Sequence, residues 1–362
     1  GASFQILPVV TNQSIARLWP VKLASYLFIP GVGVLIAGFS IGHYMAMIAG
    51  GWLVTAGLAL YTFTVLGLLT GASGFKVLTM HIRLAFVFLV VLVALGLGMI
   101  FGVTPLGYIL TTAAHGSLAV YGFMGFFAMG FGAILVPMFA LANPASQQRS
   151  LFVMAVYGAG LVIGVIGIFT EFYEVALLGA SMLLVGSISH VLVMKGLLKK
   201  GMKQNLGISF VLIKTSWVLL PVSLAVGIAA ISGIPYEATM LIAAYIAIFG
   251  WLLTFVLGVQ QQIMPFLAAM NVLKAGGKPP RLSQLAAGKP LKIHAVCHFS
   301  AIVLLGLGIV TELELAIQTG AVIGIVGALA FLWFTIDVYR RMLKTGRDVS
   351  TPKSSMPTQE RP

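Results

Sequence analysis

The chain lacks the residues on which many soluble proteins depend. It has one cysteine, Cys297, and only eight aspartate and glutamate residues in 362. A disulfide within the chain and a cysteine-based metal cluster are therefore excluded. Charged residues make up 8% of the sequence and hydrophobic residues 60%, against roughly 25% and 45–50% in globular chains. This composition excludes a soluble domain. The sequence also has no phosphate-binding loop, zinc-peptidase motif or nucleophile elbow, so nothing in it indicates a hydrolase.

Ten apolar segments run through the sequence, each long enough to cross roughly 30 Å of hydrocarbon. Their side chains do not alternate between apolar and polar, so they predict helices rather than the strands of a barrel. We place the spans at 21–40, 44–69, 77–101, 107–141, 151–170, 174–196, 207–231, 238–270, 291–310 and 315–341. The predicted fold class is an all-α polytopic membrane protein with about ten transmembrane helices. Two long spans carry Pro137 and Pro265 near one end, where we expect tilt or a kink.

The charges are divided between alternate loops. Five turns carry acids and no Lys or Arg: Glu171, Glu174, Glu237, Glu312 and Glu314. The loops between them carry basic residues such as Lys76, Arg149 and Lys199. Since cytoplasmic loops are enriched in Lys and Arg, we expect both termini in the cytoplasm of a cell with a prokaryotic-type inner membrane. The net charge of +13 then faces anionic lipid head groups, and nucleic acid is rejected as a partner.

The second half of the chain repeats part of the first. Five residues, Gly122, Gly130, Pro137, Ala140 and Asn143, recur 128 residues later as Gly250, Gly258, Pro265, Ala268 and Asn271. The stretch 167–171 recurs 141 residues later as 308–312. We therefore expect a 2+4+4 arrangement of helices with two tandem four-helix repeats. It comprises a cytoplasmic N-terminal segment (1–20), two helices (21–69), repeat A (77–196), repeat B (207–341) and a disordered cytoplasmic tail (346–362).

The six histidines fall at two depths of the predicted bundle. His43 and His115 form an outer pair, and His81, His190, His294 and His298 form an inner group. Paired imidazoles from facing helices bind haem iron or copper well. We therefore expect haem b, with two haems as one option and copper as another. The candidate metal ligands are His43, His115, His190 and His298. Two basic residues at matching positions of the repeats, Arg83 and Lys214, are candidate partners for haem propionates.

Structural roles are the alternative for each histidine. His43 is exposed enough in the predicted topology to be a solvated interface residue. The pairs His81 with Arg83 and His294 with His298 suit anchors at the membrane surface. A buried histidine bonded to a hydroxyl or a carbonyl is the alternative for His115 and His190.

Two further polar features lie within the spans. Asp337 is close to Arg340 and Arg341, which predicts a local ion pair, with proton coupling as the alternative. The run 260–262 consists of three glutamines. We expect it to line a polar cavity or to form hydrogen bonds between helices.

The stretch 115–125, with the sequence HGSLAVYGFMG, is followed by Gly130 and by Val-Pro-Met-Phe at 136–139. It resembles helices of the haem-copper oxidase subunit I superfamily, in which a histidine near the outer side precedes a Gly-aromatic pair, a further glycine and a proline. The resemblance implies a fold of three arcs of four helices, here without the final pair. It also implies a haem ligand on the second helix, where His43 is a loose match.

The chain departs from that family at the oxygen-reducing centre. The tenth span has no histidine where the family has His-x-His, and the seventh lacks the His-His pair that binds copper. His190 lies on the sixth span but toward the opposite side from the family's ligand. The resemblance therefore implies a divergent, haem-binding member that lacks the binuclear-centre ligands, rather than an oxidase.

Three functions remain open from the sequence. The first is an integral membrane b-type haem, or haem and copper, protein for electron transfer or for haem or metal handling. An oxidoreductase component, with a quinol or a redox protein as partner, is included in it. The second is a secondary transporter or channel built on tandem four-helix repeats. The third is a structural subunit of a respiratory complex, with vestigial histidines. A homo-oligomer is compatible with each.

Overall fold

The computed structural model describes residues 2–11, 13–15, 17–70, 75–104, 106–203, 205–234 and 236–350. Within these ranges the chain forms helices and no strand. Ten helical spans are long and apolar enough to cross a membrane. They confirm the all-α class and the ten predicted spans. The chain is thus a multi-pass membrane protein whose helices are apolar enough for a lipid bilayer.

The helices have the following bounds in chain order. They are α1 (Ala2–Thr11), α2 (Trp19–Ile41), α3 (Tyr44–Leu69), α4 (Lys76–Ile100), α5 (Gly107–Ser117), the π-helix π1 (Leu118–Met124), α6 (Gly125–Ala140), α7 (Gln147–Thr170), α8 (Tyr173–Lys199), α9 (Ile208–Ile231), α10 (Tyr236–Tyr245), the π-helix π2 (Ile246–Leu253), α11 (Thr254–Lys274), α12 (Leu282–Leu285), α13 (Gly288–Thr311) and α14 (Glu314–Ser350). Helix α1 lies within the predicted N-terminal segment. Helix α14 continues past 346, where we expected the tail to begin, and 351–362 lie outside the described residues.

The chain divides into two compact units. The first comprises residues 1–204 and 220–248, and the second comprises 205–219 and 249–362. In the first unit, α4 packs against π1 and α6, and buried Phe126 contacts Phe88 and Tyr157 at ring-centroid distances of 5.2 and 5.5 Å. In the second unit, α11 packs against α14, around the buried side chains of Phe334 and Leu285.

Two long spans change from α-helix to π-helix and back. The first consists of α5, π1 and α6, and the second of α10, π2 and α11. The two π segments begin 128 residues apart, at the offset found in the sequence. Pro137 and Pro265 lie farther along, inside α6 and α11. Segments of π-helix are rare and often occur at functional sites.

A hydroxyl group bonds to a backbone carbonyl within each π segment. The Tyr157 hydroxyl donates to the Tyr121 carbonyl over 3.2 Å. The Thr254 hydroxyl donates to the Phe249 carbonyl over 2.8 Å. Since a buried carbonyl without a partner is costly, these side chains stabilise the wider turns.

Close contacts between consecutive helices also recur at the sequence offset of 141. In the α7–α8 hairpin, a Cβ on Gly186 would lie 2.7 Å from the Cα of Tyr157. In the α13–α14 hairpin, a Cβ on Gly327 would lie 3.6 Å from the backbone nitrogen of His298 and 3.1 Å from the Cβ of Cys297. Small residues let membrane helices approach closely where no hydrophobic effect drives association.

The α2–α3 hairpin turns at Gly42 and His43. Gly42 has a φ of 67°, a conformation that costs a glycine little and other residues more. The next residue, His43, is the N-cap of α3, and its Nδ1 accepts a hydrogen bond from the Ala46 N–H over 3.2 Å. The turn therefore depends on both residues.

Candidate functional site

A cavity of about 390 Å³ lies at one end of the first unit, which we call the basic end. Residues from the first turns of α4 and α7, including Lys76 and Ser150, line it. Two of the predicted ligands, His81 on α4 and His190 on α8, line it as well. The structure therefore brings together two of the four histidines assigned to the inner group.

The ring of His81 is fixed in one orientation. Its Nδ1 lies 2.7 Å from the Val77 carbonyl oxygen, which can only accept a hydrogen bond, so Nδ1 carries the proton and Nε2 does not. The side chain is 4% exposed. It packs beside the Phe126 ring at 5.8 Å and against Gly130, where a Cβ would lie 2.7 Å from the His81 Cβ. An anchored Nδ1–H with an unprotonated Nε2 is the usual arrangement of a metal-binding histidine.

His190 differs from His81 in having no anchor. It is half-buried on α8, and among the described residues no protein group is hydrogen-bonded to its ring. Most buried imidazoles have such a partner. A ring without one on a cavity wall is available to a ligand.

Three methionines complete the cavity wall. Met129 and Met138 on α6 and Met194 on α8 line the cavity with the two histidines. The donor set near this cavity thus combines imidazole nitrogens with thioether sulfurs. Thioethers bind soft metal ions such as Cu(I), and His or Met also serve as axial ligands of haem iron.

The predicted outer pair is not assembled in this way. His43 is exposed, and its Nδ1 accepts the capping bond of α3, which places the proton on Nε2. His115 is half-buried, and its Nδ1 lies 3.0 Å from the Leu92 carbonyl oxygen, so its Nε2 is unprotonated. Neither residue lines the 390 Å³ cavity or the larger cavity described below. His115 alone therefore resembles His81 in its anchoring.

The remaining two histidines lie in the second unit and have protein partners. The rings of His294 and His298 stack with centroids 5.5 Å apart, as their spacing along α13 predicts. Nδ1 of His294 accepts from the Gln261 amide over 3.2 Å. Nε2 of His298 lies 2.8 Å from the Thr254 hydroxyl oxygen. Because that hydroxyl already donates to a carbonyl, His298 is the donor in this bond. These contacts match the alternative of buried, hydrogen-bonded histidines.

The other predicted polar residues have local partners. Arg83 is exposed, with Nη2 3.5 Å from the Leu69 carbonyl oxygen, and Lys214 is also exposed. Neither lines either cavity, whereas Lys76 does. The predicted ion pair of Asp337 is confirmed, with 2.6 Å between its Oδ2 and Nε of Arg341.

The glutamine run forms hydrogen bonds between helices. The Gln261 amide donates to His294 on α13. The Gln262 amide donates to the Ser209 hydroxyl on α9. Of the two roles predicted for this run, bonding between helices is the one observed for these two residues.

Clusters rich in metal-binding side chains are absent from the described part of the chain. No group of three or more His, Cys, Asp or Glu side chains there is placed to hold a metal ion. A site built from many carboxylates or cysteines therefore does not fit these residues. The histidine pair with its methionines, which falls outside that definition, is the remaining candidate.

A second and larger cavity lies at the opposite, acidic end of the first unit. It measures about 850 Å³ and is lined mainly by apolar side chains, with Tyr108, Glu171 and Tyr173 at helix ends. Sequence analysis missed it. The glycines and alanines that line it belong to five separate helices, so no single stretch of sequence shows the space that they leave.

The chain matches no protein-family model, and no curated protein matches it either.

Proposed function

We propose that this protein is a membrane-embedded b-type haem protein whose axial ligands are His81 and His190. The observation that carries the proposal is the 390 Å³ cavity lined by these two imidazoles from different helices. One ring is held by its own helix with Nε2 unprotonated, and the other has no protein hydrogen bond within the described residues. A pair of this kind fits an iron between two helices.

The residues around the cavity fit the other parts of a haem. The wall between the ligands is largely apolar, which suits a porphyrin. Lys76 stands on the wall at the basic end, where its ammonium group can neutralise a propionate. Among the basic residues considered for that role it replaces Arg83 and Lys214, which lie elsewhere. When bound, haem b supplies a carrier of one electron, and the protein holds it and excludes water.

Copper is the second candidate for the same cavity. The three methionine sulfurs favour it, because thioethers are soft ligands that select Cu(I). In that case the protein binds or hands on a cuprous ion instead of transferring electrons through haem. Either occupant makes the cavity a redox or metal-handling site, and an oxygen-reducing centre lacks ligands among the residues described.

The proposed setting follows the distribution of charge. The protein is placed in a prokaryotic-type inner membrane with both termini in the cytoplasm, because the basic loops should face that side. The resemblance to the haem-copper oxidase subunit I superfamily supports the same assignment. The proposed electron partner is a quinol or a redox protein, and assembly with itself or with respiratory subunits is tested by co-purification.

A visible spectrum and a metal analysis test the proposal. The purified protein should show a Soret band and contain iron, and His81→Ala and His190→Ala should each remove that band. His43→Ser is the matched control, since it removes an imidazole away from the cavity while serine can still cap α3. This variant should retain the band.

Other results point to other functions. Copper without iron, lost in both cavity variants, would favour the second candidate. A protein without haem or metal that takes up a labelled solute in proteoliposomes would replace the proposal with the transporter. Spectra of His81→Ala and His190→Ala identical to the parent would reject these ligands.

A further inference from the structure

The larger cavity at the acidic end is not used by the proposed haem site. Its 850 Å³ is enough for a drug-sized or lipid-like molecule. Parts of α5, α7, α8, α9 and α10 line it, together with both π-helices. It is separate from the 390 Å³ cavity, since the two have no lining residue in common.

Two glycines leave space on its wall. A Cβ added to Gly116 on α5 or to Gly227 on α9 would have no neighbouring atom within 4 Å. Both residues line the cavity. By contrast, Gly160 and Gly167, which line it too, are packed closely against α8. The opening is therefore framed by tight helix contacts and widened where Gly116 and Gly227 lie.

A polar spot lies deep in this apolar space. The Tyr121 hydroxyl in π1 and the Ser223 hydroxyl in α9 are 3.0 Å apart, and both residues line the cavity. Ser223 donates its own proton to the Leu220 carbonyl over 2.7 Å, so Tyr121 is the donor in the pair. Phenol and hydroxyl oxygens can accept further bonds, which gives a ligand head group a place to bind.

The charge at the cavity excludes one class of lipid. Glu171 is the only ionisable acid or base with a full charge among the lining residues, and no Lys or Arg lines the cavity. The phosphate of a phospholipid would meet a carboxylate there and no cation. The occupant should therefore have a neutral head that forms hydrogen bonds and an apolar tail.

From these features we infer that the cavity binds a prenylated quinone, with its ring oxygens at Tyr121 and Ser223 and its tail along the apolar wall. A six-membered ring with oxygens on opposite sides is neutral and compact, and it is the head group that this pair of hydroxyls suits. The inference deepens the proposed function by naming the lipid-soluble electron carrier. It concerns binding alone, and it rests on the proposed function only for the carrier's role.

Photolabelling tests the site. The full-length protein in phosphatidylcholine nanodiscs is irradiated with an azido-ubiquinone, and labelled peptides are identified by mass spectrometry. Label is expected in 108–121 and 223–248. Decylubiquinone should compete for the site, and farnesol, which has a prenyl tail without the quinone ring, should not.

Cavity-filling variants show whether the space itself is required. Gly116→Phe and Gly227→Phe should each abolish labelling, because phenylalanine occupies the space. Gly196→Phe is the control, since Gly196 also has no neighbour within 4 Å but lines neither cavity. Tyr121→Phe removes one hydroxyl and should weaken quinone binding about tenfold.

The outcomes separate this inference from the haem proposal. A Soret band is recorded for every variant and should persist in Gly116→Phe. Labelling that survives both cavity-filling variants, or that farnesol blocks as well as decylubiquinone does, would overturn the quinone site. Specific labelling of a protein without haem would leave the site standing and reject the proposed function.

Discussion

Replacing Gly130 with alanine should disturb the packing that fixes His81. The added methyl group would lie 2.7 Å from the His81 Cβ and 3.3 Å from its Cγ. Carbon atoms in contact prefer about 3.5–4.0 Å, so α4 and α6 must separate by about 1 Å. Overpacking of this size costs about 1–3 kcal/mol. Because the ring is attached to the displaced Cβ, the same movement shifts the imidazole on the cavity wall.

The matching position in the second unit separates packing from ligand binding. A methyl group on Gly258 would lie 3.0 Å from the Leu212 Cβ, so Gly258→Ala should also overpack its helices, but no cavity histidine is involved. Gly196→Ala meets nothing within 4 Å and should be neutral or stabilising by about 1 kcal/mol.

Thermal unfolding in detergent and the visible spectrum measure the two effects. Both Gly130→Ala and Gly258→Ala should lower the melting temperature, and only Gly130→Ala should change the Soret band. A Gly130→Ala protein with the parent's melting temperature and spectrum would refute the reasoning. So would an equal spectral change in Gly258→Ala.

Two further changes test local structure. Thr254→Val keeps the shape of the side chain but leaves the Phe249 carbonyl and His298 Nε2 without the hydroxyl, so unfolding should become easier by about 1–3 kcal/mol; the exposed Thr170→Val, measured in the same melts, should have little effect, and equal melting of both would contradict the role of the relay. Gly42→Ala forces alanine into a φ of 67° and should cost about 1 kcal/mol, whereas the helical Gly33→Ala should not; hydrogen exchange of the α2–α3 turn would show no difference between them if the turn were not strained.

The helices could be predicted from the sequence because each needs a long apolar run. Helix α3 spans Tyr44–Leu69, the range predicted for it. At the ends the prediction was shorter: α8 continues to Lys199, beyond the predicted end at 196. Long basic side chains can bury their stems along a helix end and keep their charge in water, so an apolar run alone underestimates the helix.

The candidate site was predictable only in part. The predicted depth of His81 and His190 grouped them, and both line one cavity. The same argument also grouped His294 and His298 with them, but Gln261 and Thr254 occupy those rings. Depth along a helix follows from sequence, whereas the direction of a side chain depends on how helices pack.

The π segments could not be predicted for a related reason. Residues 118–124 are as apolar as their α-helical neighbours, and a change of hydrogen-bond pattern leaves no mark on composition. The methionines of the smaller cavity and the space of the larger one have the same origin. They arise where residues from several helices meet, and the sequence shows each helix separately.

The position of the π-helices dates one event in the history of this protein. A π turn arises when a single residue is inserted into an α-helix, and removing that residue would rotate all that follows by about 100°. Both halves of the chain have the wide turn at equivalent places. One insertion before the ancestral gene doubled explains this more simply than two later ones. The histidines diverged afterwards: Tyr157 and His298, which occupy corresponding places, now stabilise the same inherited bulge by different chemistry.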